Sequence, residues 1–198
     1  QETRLSVSAI ENATSNVILQ ASNDIVFEVP VNIGTAGVGL AAQAGNNIAV
    51  NAAIATAGGN VSFNAGSTLS IGATVSTNGG NISFTAPTMN LQSAIGSGAG
   101  NIALTADFPW LQGTLSGSGT LSIQPQTPSS IDLGGSDSGE MVFLSENELG
   151  NLANGFSAIT IGDSNTGISL VGNASFVDPV TLQASTIDAL GFSLSGSD

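Results

Sequence analysis

The phrase GGNVSF at residues 58–63 returns as GGNISF at 79–84 and as AGNIAL at 99–104. No other feature of this 198-residue chain restricts its fold as tightly. The underlying pattern is apolar-x-apolar-x-Ala, found at Val17-Leu19-Ala21, Val38-Leu40-Ala42, Val61-Phe63-Ala65, Ile82-Phe84-Ala86 and Ile102-Leu104-Ala106. Leu121-Ile123 continues it with Pro125 in the last slot, and Val180-Leu182-Ala184 repeats it late in the chain. Successive starts up to Leu121 lie 21, 23, 21, 20 and 19 residues apart. Alternation with a period of two means strands with one buried face. A helical repeat would show a phase of 3.6 instead.

Short strands recurring within a fixed period of about 20 residues predict a solenoid. One coil cannot bury its inner face alone, so coils stack about 4.8 Å apart into parallel sheets around a continuous core. The fold class is therefore all-β, a single parallel β-solenoid over residues 1–198, with about nine coils at that period. Regular coils fill 1–125. In them GGN is the corner that leads into the next strand, where Gly tolerates a positive φ. Asn60, Asn81 and Asn101 stack there into an internal ladder that shares amide hydrogen bonds. Asn12, Asn60, Asn81 and Asn173 match the N-glycosylation pattern, and an internal ladder would bar glycans from Asn60 and Asn81.

Residues 126–198 read as irregular coils carrying one short helix near 145–153. In LSENELGNL (144–152), Ser145 and Glu148 fit a capping box and Leu144 can staple onto Leu149. Gly155 is the expected terminator. At the chain ends, TRLSVSAI and GFSLSGSD both read as strands, with no amphipathic capping helix ahead of the first. A solenoid end is an unpaired strand edge. Leu5 and Val7 at one end, and Phe192 and Leu194 at the other, are then the expected assembly residues of a head-to-tail contact, which does not close and so yields a filament.

Charge removes several function classes. There are fourteen carboxylates, nine of them from Asp132 onward, against one arginine, Arg4, with no Lys and no His, for a net charge of −13. Nucleic acid binding requires cations against phosphate, and so does adhesion to anionic lipid. No apolar run approaches the roughly 20 residues of a membrane span, so no membrane insertion is expected. Cys is absent, which excludes disulfides and thiolate metal sites.

Catalysis has few candidate groups. Without His, Lys, Cys or Tyr, general acid–base work falls to paired carboxylates. The densest acids are Asp132, Asp137 and Glu140, which read more simply as a solvated loop, so no catalytic residue is assigned and no enzyme is expected. Asp163 and Asn165 in DSNTG (163–167) make half of a calcium-loop signature but lack its downstream Glu. Asp137 in GGSDSGE (134–140) lies in a second oxygen-rich loop. Both read as polar turns, so Ca²⁺ is considered and no metal or cofactor is assigned. Trp110, with Phe108 and Pro109 in DFPWLQG, is the one dense aromatic spot. It suits a sugar-stacking platform, or more simply a core filler at an irregular corner.

GGNISFTA, LQASNDIVF and VTLQA resemble the repeats of filamentous-haemagglutinin-like adhesins, which are large secreted bacterial proteins. The block IDLGGSDSGEMVFLSENELGNLANGFSAITIGDSNTGISLVGNASFVDPVTLQA (131–184) is similar to a module of very large extracellular proteins of cyanobacteria and other Gram-negative bacteria. The resemblance implies a right-handed parallel β-helix exported to the bacterial cell surface in a structural or adhesive role. It brings no catalytic motif. The expected function is a non-catalytic subunit or segment of an extracellular filament or surface fibre built by end-to-end stacking of solenoids. The alternative is an adhesin module of a large secreted protein that binds glycans.

Overall fold

A computed structural model describes residues 5–135, 142–189 and 191–196. The chain is a parallel β-solenoid. Its longest sheet takes one strand from each coil: Val17–Ala21, Leu40–Ala44, Val61–Ala65, Ile82–Thr85, Ile102–Thr105, Thr120–Gln124, Ala158–Ile161 and Val180–Leu182. A second sheet stacks Ile25–Phe27, Ile48–Val50, Thr68–Ile71, Thr88–Leu91 and Phe108–Leu111, and a third stacks Val31–Ile33, Ile54–Thr56, Val75–Ser76, Ile95–Gly96 and Leu115–Ser116. Each regular coil thus has three sides.

Alternation sets which side chains fill the interior. Val61, Phe63 and Ala65 are buried while Ser62 and Asn64 are exposed. The parallel register places Val61, Phe63 and Ala65 between Leu40, Ala42 and Ala44 on one side and Ile82 and Phe84 on the other. Phe63 and Phe84 therefore stack, with ring centroids 5.3 Å apart and planes 5° apart, and Phe27 joins at 5.6 Å. Each fully buried side chain of this size contributes about 1.5–3 kcal/mol.

Four details depart from the sequence expectation. The described residues form eight coils rather than nine, because Thr120–Gln124 and Ala158–Ile161 are neighbours in the first sheet although they lie far more than one 20-residue period apart in sequence. Within the coil between them Ser130–Leu133 pairs with Gly167–Leu170 on one side and with Val142–Leu144 on the other. The later strand therefore lies on the earlier side, and two strands fill one coil's place on this wall. In the first coil the register is Val17 opposite Leu40, not Val38. The two extra residues sit ahead of the second coil, where Val38 is buried at the corner.

The N-terminal segment is a helix rather than a strand. Val7–Glu11 forms α1, with Ile10 buried and Val7 packed against the core. Leu5, Val7 and Ala9 alternate like a strand, yet Val7 and Ile10 also fit one helical face, and so short an apolar run is ambiguous by period alone. The fourth departure concerns α2, Glu146–Leu149. Ser145 and Glu148 form the expected capping box, but the helix stops at Gly150 and not at Gly155. No helix among the described residues is long and apolar enough to cross a membrane.

Candidate functional sites on the walls and ends of the solenoid

The GGN corner combines three demands. Gly79 holds φ +119, and Asn78 before it holds φ +50. At Gly80 a Cβ would stand 2.2 Å from the Gly59 carbonyl oxygen, so coils touch backbone to backbone there. Asn60 Oδ1 then accepts from the backbone N–H of Asn81 at 2.8 Å, Asn81 Oδ1 from Asn101 N–H at 2.9 Å, and Asn101 Oδ1 from Thr120 N–H at 2.8 Å. The three asparagines lie on the exposed surface, so the ladder is external and runs from side chain to main chain rather than amide to amide. Each supplies an acceptor to the next coil at the entry to its strand.

A second column at this corner is absent from the sequence reading. Thr56, Thr77 and Ser97 are buried, and their hydroxyls donate to the carbonyls of Gly59, Gly80 and Gly100 at 2.5, 2.5 and 2.7 Å. Their recurrence at 56, 77 and 97, three residues before the second Gly of each corner, is the signal that could have found them.

Carboxylates also serve as main-chain acceptors. Glu11 accepts from Asn32 N–H and Asp24 from Asn47 N–H, both at 2.9 Å. Asp107 accepts from Gln126 and Thr127 N–H at 2.9 and 2.8 Å. Buried Asp178 accepts from Gly155 and Phe156 N–H at 3.0 Å. Glu148 accepts from Ser145 N–H and Oγ–H, and its other oxygen accepts from Leu111 N–H at 3.1 Å. With almost no cations in the chain, these acids hold coils together through backbone N–H groups.

The remaining candidate residues are dispersed. Asp163 Oδ1 accepts from Asn165 N–H at 2.7 Å, closing a local turn. Asp132 is buried in its strand, which departs from the solvated loop expected of it. Asp137 and Glu140 lie outside the described residues. Among the described residues no group of three acidic side chains is placed to hold a metal ion.

Trp110 is not a core filler. Phe108 and Trp110 point outward at 42% and 55% exposure, and Pro109 between them takes the inward position. Pro109 stacks in register with buried Met89.

The two ends differ. At the N-terminal end, α1 lies against the Val31–Ile33 side with Ile10 sealing the core, while Leu5 is exposed. Among the described residues the strands Val17–Ala21 and Ile25–Phe27 each pair on one side only. At the C-terminal end, Val180–Leu182, Thr186–Asp188 and Leu194–Gly196 are each last in their sheets. Ile187 stacks on buried Ile168, and Leu194 on buried Ala174. Both are therefore inward-facing residues, yet they are 54% and 44% exposed because no further coil among the described residues covers them; Phe192 beside them is 43% exposed. Comparison with family models, with curated proteins and with solved structures finds no match to this chain.

Proposed function

We propose that the chain is a non-catalytic structural protein of an extracellular surface fibre, extended by end-to-end stacking of solenoids. The observation that supports this is the pair of half-exposed core positions in the final described coil. Ile187 and Leu194 occupy core positions yet stay half-exposed, and among the described residues their two strands and Val180–Leu182 have outer edges without a partner strand. Another solenoid end supplies what is missing, namely a parallel ladder and an apolar lid. Covering two half-exposed side chains of this size contributes roughly 1 kcal/mol each, about half the value for full burial.

The receiving end is that of a second copy, through the open edges of Val17–Ala21 and Ile25–Phe27. A head-to-tail contact keeps every strand parallel and leaves a new free end, so it propagates. Because α1 lies over one side of the receiving end, the junction is made on the other two sides. The location at a bacterial surface rests on the adhesin-like phrases of the sequence. Absence of His, Cys, Lys and Tyr supports a role without chemistry.

Sedimentation velocity over a wide concentration range tests the contact. The unaltered chain is expected to grow with concentration, and Ile187→Asp, which puts a charge into the apolar lid, is expected to stay monomeric while remaining folded by circular dichroism. A single species of constant size for the unaltered chain would overturn the proposal.

A further inference from the structure

The side wall carries a feature that stacking does not use. Ser70, Asn90 and Trp110 stand in register on three successive rungs of the second sheet, as do Thr68, Thr88 and Phe108. Gln92 and Gln112 follow one step further along, held in register by the N–H groups of Gln92 and Gln112 on the carbonyls of Ile71 and Leu91. Asn90, Gln92, Trp110 and Gln112 line a shallow groove of about 190 Å³. Small hydroxyl side chains thus give way, within two rungs, to amides and then to two outward aromatic rings.

Three properties of the groove point to one ligand class. First, its Trp110 ring and the neighbouring Phe108 ring are solvent-exposed, and exposed aromatic clusters on a folded surface mark contact sites. Second, its amides are unused. Among the described residues no hydrogen bond engages the side chains of Asn90, Gln92 or Gln112, whereas Gln20 and Gln43, also on neighbouring rungs, bond each other at 3.2 Å. Each free amide offers both donors and acceptors, which is what a hydroxyl needs. Third, no charged side chain lines the groove. Its outward neighbours Thr88 and Phe108 are neutral, and the nearest carboxylates are engaged with backbone N–H groups, Asp107 with Gln126 and Thr127 and Glu148 with Leu111 and Ser145.

We infer that the outward face of Thr88–Leu91 and Phe108–Leu111 is a binding site for a neutral polysaccharide. A pyranose ring presents C–H groups on its faces and hydroxyls on its rim. Trp110 stacks on a ring face, where the electron-rich π surface meets those C–H groups, and Asn90, Gln92 and Gln112 bond the rim. Phe108 lies two residues from Trp110, about 6.6 Å along the strand, and receives the neighbouring ring. An acidic polymer is disfavoured by a chain of net charge −13 with one arginine.

The chain reports on this site unaided, because Trp110 is its single tryptophan and it has no tyrosine. Tryptophan emission of the full chain would be titrated with hexasaccharides of β-1,4-glucose, β-1,4-N-acetylglucosamine and β-1,4-mannose, and with alginate as the acidic probe. The expected result is a saturable blue shift with at least one neutral hexasaccharide and none with alginate. By calorimetry, Trp110→Ala is expected to lose at least tenfold in affinity, Gln112→Ala several-fold, and Trp110→Phe to keep part of the binding. Since Trp110 is outside the core, all three variants keep the unaltered melting temperature.

No shift with any neutral hexasaccharide would overturn the inference, as would a shift confined to alginate. Calorimetric binding that survives Trp110→Ala would overturn the placement. Emission that shifts with protein concentration alone would assign the face to a second copy instead. The site lies on the wall and not at an end, so its outcome is separate from that of stacking.

Discussion

Gly79 and Gly80 are neighbours with different reasons to be glycine. At Gly79 the backbone is left-handed but a Cβ would meet nothing within 4 Å; at Gly80 it would meet the Gly59 carbonyl at 2.2 Å. Gly79→Ala is expected to cost about 1–2 kcal/mol, the penalty for a positive φ. Gly80→Ala is expected to cost about 3 kcal/mol or more, because the obstacle is backbone and relief means opening the ladder. Urea unfolding of the two variants ranks them, and equal losses would contradict a backbone-to-backbone corner. This corner was legible because its Gly and Asn recur every 20 residues or so. The carboxylate contacts were not. Asp107 and Asp178 bond N–H groups 19 to 23 residues away in irregular coils, and no repeated phrase announces such a partner.

At the scale of elements, α2 shows how an insertion is tied back to a regular stack. Glu148 closes the capping box and also accepts from Leu111 N–H, while Asn151 Nδ2–H donates to the Leu111 carbonyl at 2.7 Å. Side chains thereby satisfy Leu111 at the outer edge of Phe108–Leu111, which has no hydrogen-bonded strand on that side among the described residues. Glu148→Ala strands the Leu111 and Ser145 N–H groups and is expected to destabilise by about 2–4 kcal/mol. Glu146→Ala, two residues earlier and exposed, removes only a favourable charge at the helix start, worth about 0.5 kcal/mol. Thermal melts of both distinguish a clip from a mere cap, since comparable losses would deny the clip. The capping box was legible from Ser145 and Glu148 alone. The second role of Glu148 was not, because it depends on which strand lies across from the helix. For α1, five residues that alternate as well as they spiral gave no local basis for choosing helix over strand, and the choice falls to Ile10 packing onto the first coil.

On the scale of the whole molecule, period and phase determine a solenoid, and the core follows from alternation in each coil. The count of coils was misjudged because dividing length by period assumes that no coil is enlarged. Here the coil between Thr120–Gln124 and Ala158–Ile161 is enlarged. The ends were half legible. Leu194–Gly196 is a strand as its alternation suggested, whereas the N-terminal end carries α1 on one side. Stacking must also overcome like charge, at −13 per chain. Salt at physiological strength shortens the Debye length to about 8 Å, from about 30 Å at 0.01 M, and association is expected to strengthen accordingly.

The most direct measurement is electron microscopy of the purified chain at several concentrations in about 150 mM salt. Eight coils at about 4.8 Å each give an axial rise of about 38 Å per copy. Filaments with that repeat, lengthening with concentration and absent for Ile187→Asp, are the predicted result. Separate rods of about 38 Å at every concentration, or closed pairs that never lengthen, would contradict end-to-end stacking as the function of the open coil.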